Sequence, residues 1–144
     1  MKVNFTVMGE PMVKKRPRAS MRNGHAVVYT PKDTVNYENL VRYTYQSDVG
    51  IKLEGAIEAR IKAYFPIPKS ISKKKHMLMA SEDYPCLCSK DTDNIAKICL
   101  DSCNKIAYDD DKQIYKLSVE KYYSENPRVE IELEGNYGED EESN

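Results

Sequence analysis

A chain of 144 residues, 40% of them hydrophobic, is long enough for one domain with a buried core. No stretch approaches the roughly 18 apolar residues needed to span a bilayer, and the opening MKVNFTVMGEP lacks the apolar run and cleavage site of a signal peptide, so the expected compartment is the cytoplasm. The formal net charge of −1 hides an uneven distribution: Glu139, Asp140, Glu141 and Glu142 lie together near the end of the chain, and residues 1–138 are net positive.

Val3, Phe5 and Val7 alternate with polar residues and predict a half-buried strand, ended by Gly9 and Pro11. Residues 12–24 have no periodicity and read as a mobile loop. Between Pro11 and Lys32 there is no acid, yet Lys14, Lys15, Arg16, Arg18, Arg22 and Lys32 gather there. That clustering, more than total charge, points to a polyanion such as DNA; the alternative is a solvated loop. Asn23-Gly24 signals a turn, and residues 25–29 predict a short strand returning from it, which makes the loop a flap that grips phosphates.

Thr30 as N-cap, Pro31 at the first helical position and Asp33 in the first turn predict a helix to about residue 47, with Tyr37, Leu40, Val41, Thr44 and Tyr45 as its buried stripe. Ile57, Ala59, Ile61, Ala63 and Phe65 alternate with polar residues and predict a central strand, stopped by Pro66 and Pro68. A second helix is predicted over residues 72–81. Its Lys73, Lys74 and Lys75 are either a solvated face or a second set of phosphate contacts, and His76 reads as a surface residue.

Residues 90–117 concentrate the chemistry. Asp91, Asp93 and Asn94 stand at the start of a helix whose Ile95, Ala96, Ile98, Cys99, Leu100, Cys103 and Ile106 should be buried, leaving a polar stripe of Asn94, Lys97, Asp101 and Lys105. A Lys and an Asp one turn apart form an internal ion pair on one reading. On the other, Lys97 continues a site begun by Asp91 and Asp93, where an ammonium restrains carboxylate repulsion or stabilises charge on a phosphoryl group. Asp109, Asp110 and Asp111 then precede a strand over residues 113–122, with Ile114, Lys116 and Ser118 on one face and Tyr115, Leu117, Val119 and Lys121 on the other. Two carboxylate clusters at the mouths of regular elements suit a hard divalent cation, and the two are expected to converge across a sheet end.

Asn126-Pro127 turns the chain into a last antiparallel strand marked by Val129, Ile131 and Leu133, and from Gly135 onward the sequence lacks apolar content. The expected fold is therefore α+β: a single domain over residues 1–135, of order ββαβααββ, with helices packed on a mixed β-sheet, followed by a disordered acidic tail over residues 136–144. The four cysteines, Cys86, Cys88, Cys99 and Cys103, should be free thiols in a reducing compartment. As a zinc site they fit poorly: the Cys86-x-Cys88 gap is tight, and Cys99 with Cys103 would have to leave the core.

The run Asp91-Thr92-Asp93-Asn94-x-x-Lys97-x-x-x-Asp101, followed by Asp110-Asp111-x-Gln113-Ile114, resembles the signature of the RusA family of Holliday-junction resolvases. Gly9-Glu10-Pro11, Lys15-Arg16-Pro17-Arg18, Tyr29-Thr30-Pro31 and Pro68-Lys69-Ser70 extend the likeness over most of residues 3–133. Where the family often has Lys-Pro before the first Asp, this chain has Ser89-Lys90. The resemblance implies a homodimeric, magnesium-dependent endonuclease, with manganese as a substitute, that makes paired symmetric nicks in four-way DNA junctions during recombination and repair. It implies a bacterial or phage-encoded protein with no small-molecule cofactor and no membrane partner. Carried over residue by residue, it implies Asp91, Asp93 and Asp111 as essential metal-binding carboxylates, Asp110 as a further ligand and Lys97 as the catalytic lysine. Asn94 would order the loop or bind water, and Asp109 has no counterpart and reads as solvated. Three other readings share parts of the pattern: a nuclease for flaps or forks, a non-catalytic DNA-binding module, and a glycosyltransferase using Asp-x-Asp with manganese, against which the lack of a nucleotide-binding half argues.

Overall fold

The computed structural model describes residues 1–15, 17–81 and 83–138. Alternating apolar residues build a four-stranded sheet in the order β1-β6-β4-β5, from β1 (Lys2–Met8), β4 (Glu54–Pro66), β5 (Ile114–Ser124) and β6 (Arg128–Asn136). β6 runs antiparallel to both β1 and β4, whereas β4 and β5 are parallel. The sheet is thus mixed and β4 is central, as the alternation in β4 predicts. Parallel neighbours need a long crossover, and here it carries α2 (Lys73–Ala80) and α3 (Thr92–Ser102). Together with α1 (Lys32–Asp48), this gives the expected α+β architecture.

One face of the sheet is apolar. Phe5 and Ile61 both lie opposite Ile131, and Val7 and Ala63 both lie opposite Val129. These side chains join Tyr37, Val41 and Tyr45 of α1 and Ile95, Ile98 and Cys99 of α3 in one core, where Phe5 meets Tyr45 edge to face with ring centroids 5.1 Å apart. The other face is polar. Arg60 there binds Glu132 at 2.6 Å, Glu58 at 2.9 Å and Glu134 at 3.1 Å.

Several boundaries differ from the expectations, each for a local reason. Residues 18–22 are not loop but strand β2 (Arg18–Arg22), paired with β3 (His25–Tyr29) as a separate two-stranded sheet. Asn23 (φ 50°) and Gly24 (φ 78°) both take positive φ, the geometry that closes a two-residue hairpin. Thr30 is not the N-cap: α1 begins at Lys32 with Pro31 in the capping position and no side-chain cap. Its buried side includes Thr34 as well as Tyr37, Val41 and Tyr45, while Leu40 is exposed. α3 ends at Ser102, so Lys105, in a positive-φ turn at 71°, is not on the helical stripe.

In β5 a register shift after the Ile57–Ile114 pair brings Ile114 to the core side with Val119 and Tyr123, rather than to the face of Lys116 and Ser118. β6 continues through Gly135 to Asn136, beyond the expected end of the domain. A Cβ at Gly135 would lie 3.0 Å from Ile57 Cγ1, a close approach that glycine allows. The acidic run of residues 139–142 lies outside the described residues.

The chain after α3 is anchored by Tyr108. Its ring is fully buried, its hydroxyl donates to Leu100 O at 2.5 Å, and its carbonyl accepts from Lys105 N at 2.7 Å. This fixes residues 109–111 against the end of α3. Tyr108→Phe is expected to lower stability by about 1 kcal/mol, the net value of such a hydrogen bond, seen as a lower urea midpoint with an unchanged slope.

Candidate active site

α3 is apolar on the side facing the sheet and α1, and its first turn carries the acids. Asp91 is its N-cap residue: the Asp91 carbonyl accepts from Ile95 N at 3.1 Å, and its carboxylate makes no capping bond. Asp93 follows in the first turn, where the helix dipole favours a negative charge. Lys97 is exposed one turn later, and Asp101 sits a further turn on, half-buried.

The second cluster is assembled by a short 3-10 turn, Asp111–Gln113. Asp110 caps it by accepting from Lys112 N at 2.9 Å. Gln113 Oε1 accepts from the backbone N–H groups of Asp109 (3.0 Å) and Asp110 (3.1 Å), and its Nε2 donates to Gly55 O at 3.1 Å. The Gln of the Asp-Asp-x-Gln motif therefore shapes the acidic turn and ties it to the start of β4. Asp111 N donates to Asn104 Oδ1 at 3.0 Å, which draws the turn onto the C-terminal end of α3.

The result is a close group of Asp101, Asp110 and Asp111. The Asp101 carboxylate at hydrogen-bonding range, partial burial and the Asp110 carboxylate together push the Asp111 carboxyl up to about 6. Asp110 is held below the usual range by the Lys112 N–H and then by Asp111. Asp109, read from sequence as solvated, pairs with Lys52 at 2.5 Å, and that ammonium lowers its carboxyl. A cleft of about 1180 Å³ adjoins this group, lined by Lys52, Lys105, Lys112, Asp109, Asp110 and the exposed Tyr115.

The expected convergence of the two acidic clusters does not occur within one chain. Asp91 and Asp111 stand at opposite ends of α3: Asp101, which touches Asp111, lies ten helical positions from Asp91, an axial rise of about 15 Å. Among the described residues, no three His, Cys, Asp or Glu side chains of one chain are arranged to hold a metal. The chemistry of the donors still suits a hard divalent cation, since Asp101, Asp110 and Asp111 are oxygen ligands that repel one another in its absence. Asp101 was legible as part of the polar stripe of α3 and as the last residue of the first motif, with no site role attached to it. Its place beside Asp111 depends on the fold.

The basic candidates divide. Lys14 Nζ binds Glu38 at 2.5 Å and Lys15 binds Asp33, so α1 partly neutralises both. The backbone of Lys14 also donates to Asn94 O at 3.0 Å, which straps the basic segment to the acidic start of α3. Arg18 and Arg22 are exposed on the hairpin, and Arg16 lies outside the described residues. Lys73 and Lys74 are exposed at the start of α2, while Lys75 donates to the Tyr84 hydroxyl at 2.7 Å. Cys99 and Cys103 are buried in the core, where burial pushes both thiols up, and all four cysteines are free. Sequence reasoning gave no role to Lys121, whose ammonium bonds to carbonyls just ahead of Asp91.

The crowding at Asp111 has a consequence for stability. Its folded-state pKa of about 6 exceeds the ordinary 3.8, so its charge destabilises the fold above pH ~6 and has no effect below pH ~4. In metal-free protein, Asp111→Asn should therefore be more stable than the parent at pH ~7.5, by about 1 kcal/mol after solvent screening. That gain should vanish below pH ~4; thermal denaturation with chelator across this range checks it.

The family described as Endodeoxyribonuclease RusA matches residues 8–134 of this chain. A Bacillus subtilis (strain 168) protein named uncharacterized protein YqaN is 37% identical over 134 residues, which cover 90% of this chain and 93% of that protein. The family match spans β4 and β5, most of β6, all three helices and both acidic clusters. The chain belongs to the RusA endodeoxyribonuclease family.

Proposed function

We propose that this protein is a magnesium-dependent, structure-specific endodeoxyribonuclease that resolves Holliday junctions by paired symmetric nicks, acting as a homodimer in the bacterial cytoplasm during recombination and repair. The observation that carries the proposal is the pair of carboxylate groups at the two ends of α3, within the stretch that the family matches. Asp91, Asp93, Asp110 and Asp111 would hold magnesium, or manganese in its place, which would supply Lewis-acid chemistry at the phosphate. Asp101, beside Asp111, joins this set. Lys97, exposed between the two ends, offers an ammonium to a phosphate oxygen of the cut strand. Arg18, Arg22, Lys73 and Lys74 are free to contact backbone phosphates, which position DNA without reading its sequence.

The separation of the two acidic ends supports a shared site. In a two-fold dimer, the Asp91 and Asp93 end of one copy would meet the Asp111 end of the other, giving two equivalent sites for a two-fold symmetric junction. The β2–β3 hairpin points the same way. A two-stranded hairpin is marginal alone, and this one exposes Met21 (70%) and Val28 (69%).

The direct test is cleavage of a labelled four-way junction beside a linear duplex of the same sequence. Paired nicks confined to the junction are expected with magnesium. They should be absent with chelator and reduced at least about 100-fold by Asp93→Asn, the order of loss seen when an electrostatic contribution to a transition state is removed. Junction binding without cutting in the parent would favour the DNA-binding reading, and equal cutting of flaps or forks would favour the broader nuclease.

Sharing of the site between copies has its own test. Asp93→Asn and Asp111→Asn homodimers should each be inactive. If each site uses both copies, mixing and reassortment leaves one intact site per heterodimer and restores roughly a quarter of parental nicking. A mixture that stays inactive, although heterodimers have formed, would place both acidic ends of each site in one chain.

A further inference from the structure

We infer that Lys121 is the positioning residue of the carboxylate loop: its ammonium fixes the segment that delivers Asp91 to the N-terminus of α3. The inference rests on the proposed site and adds to it a residue that does not itself touch metal or DNA. Lys121 lies on β5 opposite Ala63, on the same side as Val119 and Tyr123, which pack against the core. A lysine there, half-buried among apolar neighbours, has to bring its charge to acceptors.

It finds them in the connection between α2 and α3. Lys121 Nζ donates to Cys88 O at 3.1 Å and to Lys90 O at 2.8 Å, and Lys121 O accepts from Cys86 N at 3.0 Å. One residue therefore holds residues 86–90 at three points. Tyr123 N, donating to Tyr84 O at 3.0 Å, closes the same short ladder. Lys90 is the last residue before Asp91, and residues 86–90 form no helix or strand. The orientation of Asp91 is thus set on one side by α3, through the Asp91 carbonyl, and on the other by Lys121, through the Lys90 carbonyl. Nothing local in the sequence 86–91 would hold the carbonyl groups of Cys88 and Lys90 toward one point on β5. A charged donor from β5 does so and leaves the Asp91 carboxylate free for a ligand.

The test uses the full-length protein with Lys121→Gln, Lys121→Met and Lys121→Arg. Met keeps the apolar stem and removes only the ammonium, which guards against a folding defect peculiar to Gln. Hydrogen exchange at residues 86–92 should speed up in the Gln and Met variants, with exchange in β4 and β6 unchanged. The magnesium concentration for half-maximal junction cleavage should rise about tenfold, the usual effect of losing an outer-shell partner, with junction affinity in chelator within about twofold of the parent. Lys121→Arg, which keeps the charge and the donors, should restore both readouts. The inference is overturned if loop exchange and magnesium dependence match the parent. It is also overturned if exchange rises throughout the sheet while magnesium dependence stays the same, since that marks a residue of general stability. If the parent cuts no junction, the proposed activity fails by itself, and the loop exchange together with calorimetric titration of magnesium still decides the role of Lys121.

Discussion

Burial of α3 along its length is the constraint on which the site depends. Ile95, Ala96, Ile98, Cys99 and Leu100 leave the helix little freedom to slide or rotate against the sheet and α1. A helix held in this way is a rigid spacer. It keeps Asp91 and Asp93 at one end, Asp101 at the other, and Lys97 on the exposed side between them. The parallel pairing of β4 and β5 follows from the same packing, because the crossover between them carries α3 across the apolar face.

The Asp101 end of this spacer carries a cost to stability. Gln113, Asn104 and the backbone of Lys112 fold the turn so that Asp110 and Asp111 come close to Asp101. None of these contacts neutralises Asp111, whose carboxyl is pushed toward the protonated form by its neighbours. Asp109 in the same turn is, by contrast, paired with Lys52.

The basic segment shows the reverse situation. Lys14 and Lys15 look like free phosphate contacts in the sequence, yet in the fold they meet Glu38 and Asp33 of α1. Their pairing joins the strand–hairpin connection to α1, while the backbone of Lys14 joins it to α3. Positive charge is left for a polyanion on the hairpin, at Arg18 and Arg22, and at the start of α2. The hairpin itself has little apolar burial.

What the sequence determined by itself was local. Alternation in β1, β4 and β6, the extent of α2, the apolar side of α3 and the placement of acids at element starts all rest on contacts between residues a few positions apart, and periodicity reports such contacts directly. The two Asp runs of the family motif likewise lie within about three turns of helix and one turn of loop. The tertiary structure alone decided which residues from distant segments meet: Asp101 with Asp111, Lys14 with Glu38, and Lys121 with the carbonyls ahead of Asp91. It also decided that Asp91 and Asp111 do not meet within one chain. These pairings depend on how the crossover lays α3 across the sheet and on the register of β5 beside β4. Both are set by packing over the whole core rather than by any local pattern.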